Sequence, residues 1–315
     1  MLSLSLAAAE VDHANDRSNS MTTPVGVIGL GIMGGAIAAN LLKSGFHVVG
    51  CDIAENCRDA LVSVGGKAVA TAREVVVECD ICITSLPSVK ALRQVIQGED
   101  GIIVAAKDGV IVAECSTLPL DAKEEAFQAL AQADVTLLDC PISGTGAQAA
   151  TGDLSVFASG DQSAVERTAP VFEGFSRSHH YLGAFGNGSK MKFVANLLVH
   201  IHNVAAAEAL VLGMRAGLDP QLIYDVIPSG AGTSRMFEIR GPMMVNSDYS
   251  QATMKIDMWQ KDMDIIEAFA NSLGCPTPLF DASRPLYDTA LAEGYAKEDT
   301  ASVCAVLEEM AGIKR

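Results

Sequence analysis

Val25-Gly-Val-Ile-Gly29-Leu-Gly31-Ile-Met-Gly34 is the stretch on which the reading of this chain turns. A β-branched run leads into three glycines spaced G-x-G-x-x-G, and residues 35–42 continue as a helix-forming segment. Each glycine has a task in such a turn: Gly29 permits the tight bend, Gly31 lets the backbone approach a pyrophosphate, and Gly34 lets the helix pack closely on the strand. Leu30, Ile32 and Met33 supply the intervening backbone, and the helix start offers amide donors to an anion. Asp52 ends the next apolar run, 23 residues after Gly29. A carboxylate there accepts hydrogen bonds from a ribose 2′-hydroxyl and repels a 2′-phosphate, so NAD is expected rather than NADP.

Working outward, the strand–turn–helix pattern repeats. Apolar runs at 25–29, 48–51, 81–85, 110–115, 136–140 and 155–158 are separated by helix-length segments, which predicts parallel strands covered on both faces. Beyond the glycine-rich stretch 183–188 the pattern changes to long helical periodicities at 189–217, 221–228, 253–273 and 282–293. The expected fold class is α/β: an N-terminal Rossmann-like doubly wound parallel sheet followed by an all-helical C-terminal domain. The expected domains are a disordered tail (1–23), an NAD-binding domain (24–186) and a helical substrate and oligomerisation domain (187–315). The first helical segment, about 28 residues and about 42 Å long, must lean on more than one neighbour. A homodimer or homotetramer is therefore expected.

Composition narrows the function classes. The 315 residues are 49% hydrophobic and carry a net charge of −16, from 22 Lys and Arg against 38 Asp and Glu. That balance repels phosphate backbones and anionic lipid, so no nucleic acid and no membrane is expected as a partner. An anionic substrate needs a local positive pocket. Eight scattered cysteines suit a reducing, cytoplasmic setting. Cys79-Asp-Ile-Cys82 runs into a strand-like segment rather than opening a helix, and reads as core. No metal site is expected, because no His or Cys pair at ligand spacing has a partner pair. His179-His180 reads as a loop. Residues 2–9 are apolar but short and lack a basic flank, so neither a secretory signal nor a transit peptide fits; residues 1–20 read as a tail or a misplaced start.

Four blocks in order carry a family resemblance: Gly29-Leu-Gly-Ile-Met-Gly34; Asp139-Cys-Pro-Ile-Ser-Gly-Thr145; Gly186-Asn-Gly-Ser-Lys-Met-Lys192-Phe-Val-Ala-Asn196; and Lys261-Asp262. From Val25 onward the sequence resembles the β-hydroxyacid dehydrogenase family, which includes 3-hydroxyisobutyrate dehydrogenase. The resemblance implies that Lys192 is the acid/base residue. Its position near a helix start, where the dipole disfavours an ammonium ion, agrees with that role. Asn196, four residues on, shares its helical face and is expected to address the same substrate. Ser143 and Gly144 match the family's carboxylate-binding loop, but Thr145 stands where that loop ordinarily has a second glycine. This substitution is expected to narrow the pocket or to add a contact to a more hydroxylated substrate. By the same resemblance Leu86 and Pro87 lie against the cofactor, Thr117 contacts its nicotinamide side, and Lys261 closes over the cofactor or the substrate from the helical domain. Structural alternatives stand beside these: Pro87 as a strand terminator, Thr117 as a helix cap, Lys261 paired with Asp257, and Arg235 on the surface.

The resemblance implies an NAD-dependent oxidoreductase interconverting a small hydroxy acid, of the L-threonate or 3-hydroxyisobutyrate type, and its oxo form. A tartronate semialdehyde-type reductase and a non-catalytic NAD(P)-binding relative are the alternatives; retention of Lys192 speaks against the latter. The length and the Lys192 block both disagree with 6-phosphogluconate dehydrogenase, and the lysine itself with imine reductases.

Overall fold

The computed structural model describes residues 23–105 and 107–315; of the expected N-terminal tail at 1–23, all but the last residue lies outside them. Contacts divide the chain into two units, Met1–Lys192 and Phe193–Arg315.

In unit 1, β1 (Val25–Ile28), α1 (Ile32–Lys43), β2 (Val48–Cys51), α2 (Glu55–Ser63), β3 (Lys67–Val69), α3 (Ala72–Glu78), β4 (Ile81–Thr84), α4 (Val89–Gln97), β5 (Ile111–Glu114), α5 (Leu120–Ala131) and β6 (Thr136–Asp139) follow one another. The six strands form a parallel sheet in the order β3-β2-β1-β4-β5-β6. Alternation along each strand feeds two cores. Val27, Ile83, Ile111 and Leu138 pack with Ile37, Leu41 and Phe172, whereas Ile28, Cys82, Val112 and Leu137 pack with Val75, Leu92 and Leu130. Burial on both faces is why these strands read as unbroken apolar runs. Cys79 and Cys82 are both buried, as expected of core cysteines. The order reverses between β1 and β4, which opens a crevice at their carboxyl ends.

Two features of unit 1 correct the sequence reading. The short edge strand β3 begins with an exposed lysine and carries little apolar signal. Residues 155–158 do not extend the parallel sheet. They form β8 (Ser155–Ala158) of a separate three-stranded sheet, antiparallel to β7 (Ile142–Ser143) and parallel to β9 (Ser178–Tyr181). After β6, Asp139 and Ser159 exchange backbone hydrogen bonds, and Pro141, which has no N–H to donate, only accepts, from Phe157 N at 3.0 Å. Strand β9 contains His179 and His180, so that pair is not a loop; the His179 ring packs 5.8 Å from that of Phe172. Helices α6 (Gly146–Ala150) and α7 (Gln162–Phe175) complete the unit.

Helix α8 (Asn187–Arg215) begins in unit 1 and supplies the first helix of unit 2. It is the one described helix long and apolar enough to cross a bilayer; Phe193, Ala207, Leu210 and Val211 place part of that apolarity in the core of unit 2, while Val194, Leu198 and Leu212 stay exposed. Then come α9 (Pro220–Val226), α10 (Arg235–Asn246), α11 (Ile256–Ser272), α12 (Pro278–Ala292) and α13 (Val303–Met310). Helix α10 escaped the sequence reading because Gly241 and Pro242 lie inside it. Ser234 caps its start by accepting from Phe237 N at 3.1 Å. Within this core His200 stacks on Tyr287 and packs at a tilt against Phe280, both at 4.4 Å, and accepts from Trp259 Nε1 at 3.3 Å.

Candidate active site

The glycine turn is shaped by backbone meeting backbone. Gly29 has φ +89°, and a Cβ on it would lie 2.2 Å from Ser85 O at the end of β4. A Cβ on Gly34 would lie 1.8 Å from Gly29 O. Gly31 has an ordinary φ of −63°, and a Cβ there would meet no protein atom within 4 Å. The space before α1 is therefore a cradle, and no side chain caps the helix start. Ile32 is exposed beside it. These features fit a dinucleotide pyrophosphate.

Asp52 braces this turn. Leu30 N donates to its Oδ2 at 2.7 Å and Ala54 N to its Oδ1 at 2.8 Å, while Arg58 Nη1 donates to its carbonyl oxygen at 2.6 Å. The carboxylate is half-buried at the end of β2, where a ribose would lie. At the end of β4, Leu86 N donates to Ser116 Oγ at 2.7 Å, which ties the half-buried Leu86 to the turn after β5. Pro87 is exposed and Ser88 caps α4. Thr117 is half-buried; the cap position of α5 belongs to Pro119, so Thr117 is not its helix cap.

Ser143 ends β7, and Gly144 follows with φ +144°. Thr145 caps α6: its Oγ1 accepts from Gln148 N at 3.4 Å and its N donates to Gln148 Oε1 at 3.0 Å. The hydroxyl that replaces glycine is thus engaged in a capping box. This loop lies against the glycine turn, for a Cβ on Gly146 would sit 3.0 Å from Ile32 Cγ2, and Asn40 Nδ2 donates to Ala149 O at 2.6 Å.

The start of α8 is anchored to the same sheet edge. Gly188 packs so tightly that a Cβ would lie 2.5 Å from Asp139 O, and Ser189 donates to the Asp139 carboxylate through its N at 2.7 Å and its Oγ at 2.8 Å. Lys192 is the sixth residue of the helix and is buried, one turn further in than the helix start. Lys190 is exposed beside Asn187, as a solvated lysine should be. Asn196, in unit 2, is buried and donates through Nδ2 to Asp262 Oδ2 at 3.0 Å. Lys261 Nζ lies 3.2 Å from Asp262 Oδ1, while Asp257, its suggested alternative partner, pairs with Lys297 at 2.5 Å. Arg235 is exposed and pairs with Glu238 at 3.2 Å.

Sequence reasoning missed two groups here. Asp262 orients Asn196, a role hidden by 66 residues of separation. Lys123, Glu114 and Asp139 form a fully buried ionic cluster, with Lys123 Nζ 2.6 Å from Glu114 Oε2 and 2.7 Å from Asp139 Oδ1. Burial pulls the ammonium's pKa down, but Asp139 and Glu114 outweigh it and hold the lysine above its ordinary value. The only sequence signal was a lysine on the apolar side of α5. Among the described residues no cluster of three or more His, Cys, Asp or Glu could hold a metal.

A doubly wound sheet with a pyrophosphate cradle at its switch point defines a dinucleotide-binding protein. The NAD-binding domain of 6-phosphogluconate dehydrogenase matches residues 24–183, and the NAD-binding domain of NADP-dependent 3-hydroxyisobutyrate dehydrogenase matches residues 186–307. The chain is 34% identical to the L-threonate dehydrogenase of Cupriavidus necator, over 90% of this chain and 95% of that one. It is also 34% identical to the L-threonate dehydrogenase of Escherichia coli K12, over 89% and 93%. The crystal structure of a 3-hydroxyisobutyrate dehydrogenase from Salmonella typhimurium superposes with a TM-score of 0.80 at 33% identity, covering 90% of this chain and 99% of that one. The chain belongs to the 3-hydroxyisobutyrate dehydrogenase family of NAD(P)-dependent hydroxyacid dehydrogenases.

Proposed function

We propose that the chain oxidises a small hydroxy acid of the L-threonate or 3-hydroxyisobutyrate type with NAD, and that Lys192 is its acid/base group. The observation that carries this reading is the anchoring of the Lys192 helix. Its first turn is tied through Ser189 to Asp139 at the carboxyl end of β6, the sheet edge that also bears Gly29, Asp52 and Leu86. When bound, the nicotinamide supplies the hydride acceptor. Lys192 Nζ accepts the hydroxyl proton as the carbinol becomes a carbonyl, and returns it in the reverse direction. The Ser143 hydroxyl and Gly144 N–H bind the substrate carboxylate, since Thr145 N already donates to Gln148. Asp262 holds the Asn196 amide in one orientation, one helical turn beyond Lys192. Asp52 supports the choice of NAD by its charge.

The reading extends to assembly as a homo-oligomer. Val194, Leu198 and Leu212 recur at helical spacing on α8 and are exposed, an apolar stripe suited to a second copy. Light scattering that found only monomer at micromolar concentration would remove this part.

The test of the chemistry is a panel of hydroxy acids assayed with NAD and with NADP, beside Lys192→Ala. That variant should bind NADH normally and lose about 10²–10⁴-fold in single-turnover hydride transfer. Near-normal transfer sinks the acid/base role, and lost NADH binding would reassign Lys192 to the cofactor.

A further inference from the structure

Lys123 on α5 is fully buried in unit 1, and its charge links two parts of the sheet edge. One arm runs through Glu114. Glu114 Oε2 takes the ammonium at 2.6 Å, Oε1 accepts from Ser116 N at 2.9 Å, and Ser116 Oγ in turn holds Leu86 N at 2.7 Å. The other arm runs through Asp139, whose carboxylate takes the ammonium at 2.7 Å and both donors of Ser189 in the first turn of α8.

Glu114 and Asp139 are direct neighbours in the β5–β6 register, so without a cation between them two buried carboxylates would repel across adjacent strands. Two negative charges against one positive leave an excess that faces the positive end of the α8 dipole. Buried ion clusters of this kind add little stability over an apolar filling of the same volume, but they fix geometry.

We propose that Lys123 is a positioning residue that holds the cofactor-side loop at Leu86 and the first turns of the Lys192 helix at one fixed spacing. The proposal rests on the acid/base reading of Lys192. A shift of about 1 Å in a reacting group costs on the order of 100-fold in rate, which is the leverage such a link has.

The variants are Lys123→Met paired with Glu114→Gln, and Ser189→Ala. The double change removes the cation and one carboxylate together, so the net buried charge stays at −1, now carried by Asp139 with the Ser189 donors still on it; Ser189→Ala removes one arm's hydroxyl and leaves its N–H in place. The readouts are kcat per NADH-binding site, the pH–rate profile, KM for NAD and Tm. Positioning is supported if the double variant melts near the parent, binds NADH and loses about 10–100-fold in kcat with a displaced pH–rate limb. Ser189→Ala should then lose several-fold in kcat at unchanged KM for NAD. If the double variant does not fold, Ser189→Ala decides alone. Unchanged kcat and pH profile per folded site in whichever variants fold overturns the proposal and leaves Lys123 a structural charge. Lys192→Ala in parallel separates the failures. Full transfer in that variant defeats the acid/base reading itself, whereas lost transfer there beside a normal Lys123 variant defeats only the positioning.

Discussion

The glycines that shape the β1–α1 turn and the start of α8 in unit 1 and the helical glycines of unit 2 are close-packed for different reasons. In unit 1, Gly29, Gly34 and Gly188 meet backbone carbonyls, at 2.2, 1.8 and 2.3 Å from an added Cβ. In unit 2 the helical glycines meet side chains: Gly213 the tip of Ile223 at 2.4 Å, Gly241 the ring of Tyr224 at 2.5 Å. Carbonyls at strand ends cannot move without the sheet, whereas a side chain can turn. At these positions unit 1 is fixed by main-chain geometry and unit 2 by side-chain packing.

The largest expected effect breaks the main-chain contacts. Gly34→Ala puts a methyl carbon on the carbonyl oxygen of Gly29, so the β1–α1 turn must open. Loss of NADH binding by at least about 100-fold is expected, along with about 1–3 kcal/mol of overpacking. Fluorescence titration with NADH checks it, and an unchanged affinity would refute the claim that this turn is fixed by backbone contact.

The same contrast explains what could be read in the sequence. Gly29, Gly31, Gly34 and Asp52 were legible because a phosphate cradle demands particular residues at fixed spacing. Five strands of the parallel sheet were legible because both of their faces are buried. The edge strand β3, three residues long, lacked that signal. Strand β8 is apolar as well, but apolarity does not say which sheet a strand joins. Helix α10 was lost to Gly241 and Pro242, which local rules read as breakers though the packing of Tyr224 accommodates the glycine. Asp262 depends on a partner 66 residues away and Lys123 on carboxylates of two adjacent strands, and periodicity carries no information about either pairing.

A second effect belongs to unit 2. Burial, with a smaller push from Arg284, lowers the His200 pKa to about 4. A histidine whose folded pKa lies below its unfolded value binds more protons when unfolded, so its stability contribution is intact above about pH 6.5 and is lost as the pH falls towards 4. On the order of 3 kcal/mol is at stake, at about 1.4 kcal/mol per pKa unit. Lys123 in unit 1 stays charged throughout that window. Thermal melts from pH 7 to pH 4 should therefore flatten in His200→Phe relative to the parent. Parallel slopes in the two proteins would mean the acid sensitivity lies elsewhere.

Gly31→Ala sharpens the comparison further. With φ −63° and no protein atom within 4 Å, an added methyl group strains nothing in the protein. Tm should be unchanged or slightly raised, since alanine restricts the unfolded chain. NADH affinity should fall by about tenfold or more, because the methyl group occupies the approach of the pyrophosphate. A variant that kept both would show that the cradle does not hold the phosphates.

The smallest effect is expected at Gly213→Ala, and its smallness is informative. The new methyl group meets only Ile223 Cδ1 and Cγ1, at 2.4 and 3.2 Å, and then Leu218 Cδ1 at 3.8 Å. The first is the far end of a flexible side chain on α9, so a rotamer change relieves the contact at a cost of about 1 kcal/mol. Alanine inside α8 recovers about 1 kcal/mol of helix propensity that glycine forfeits. The two terms oppose each other, and the net change in stability should stay within about 1 kcal/mol of zero, read by chemical denaturation. NADH affinity should match the parent, since no part of the glycine turn is touched. A loss of stability above about 3 kcal/mol, or of cofactor binding on the scale of Gly34→Ala, would mean that unit 2 is as rigidly fixed as unit 1, and the distinction drawn between carbonyl and side-chain contacts would fail.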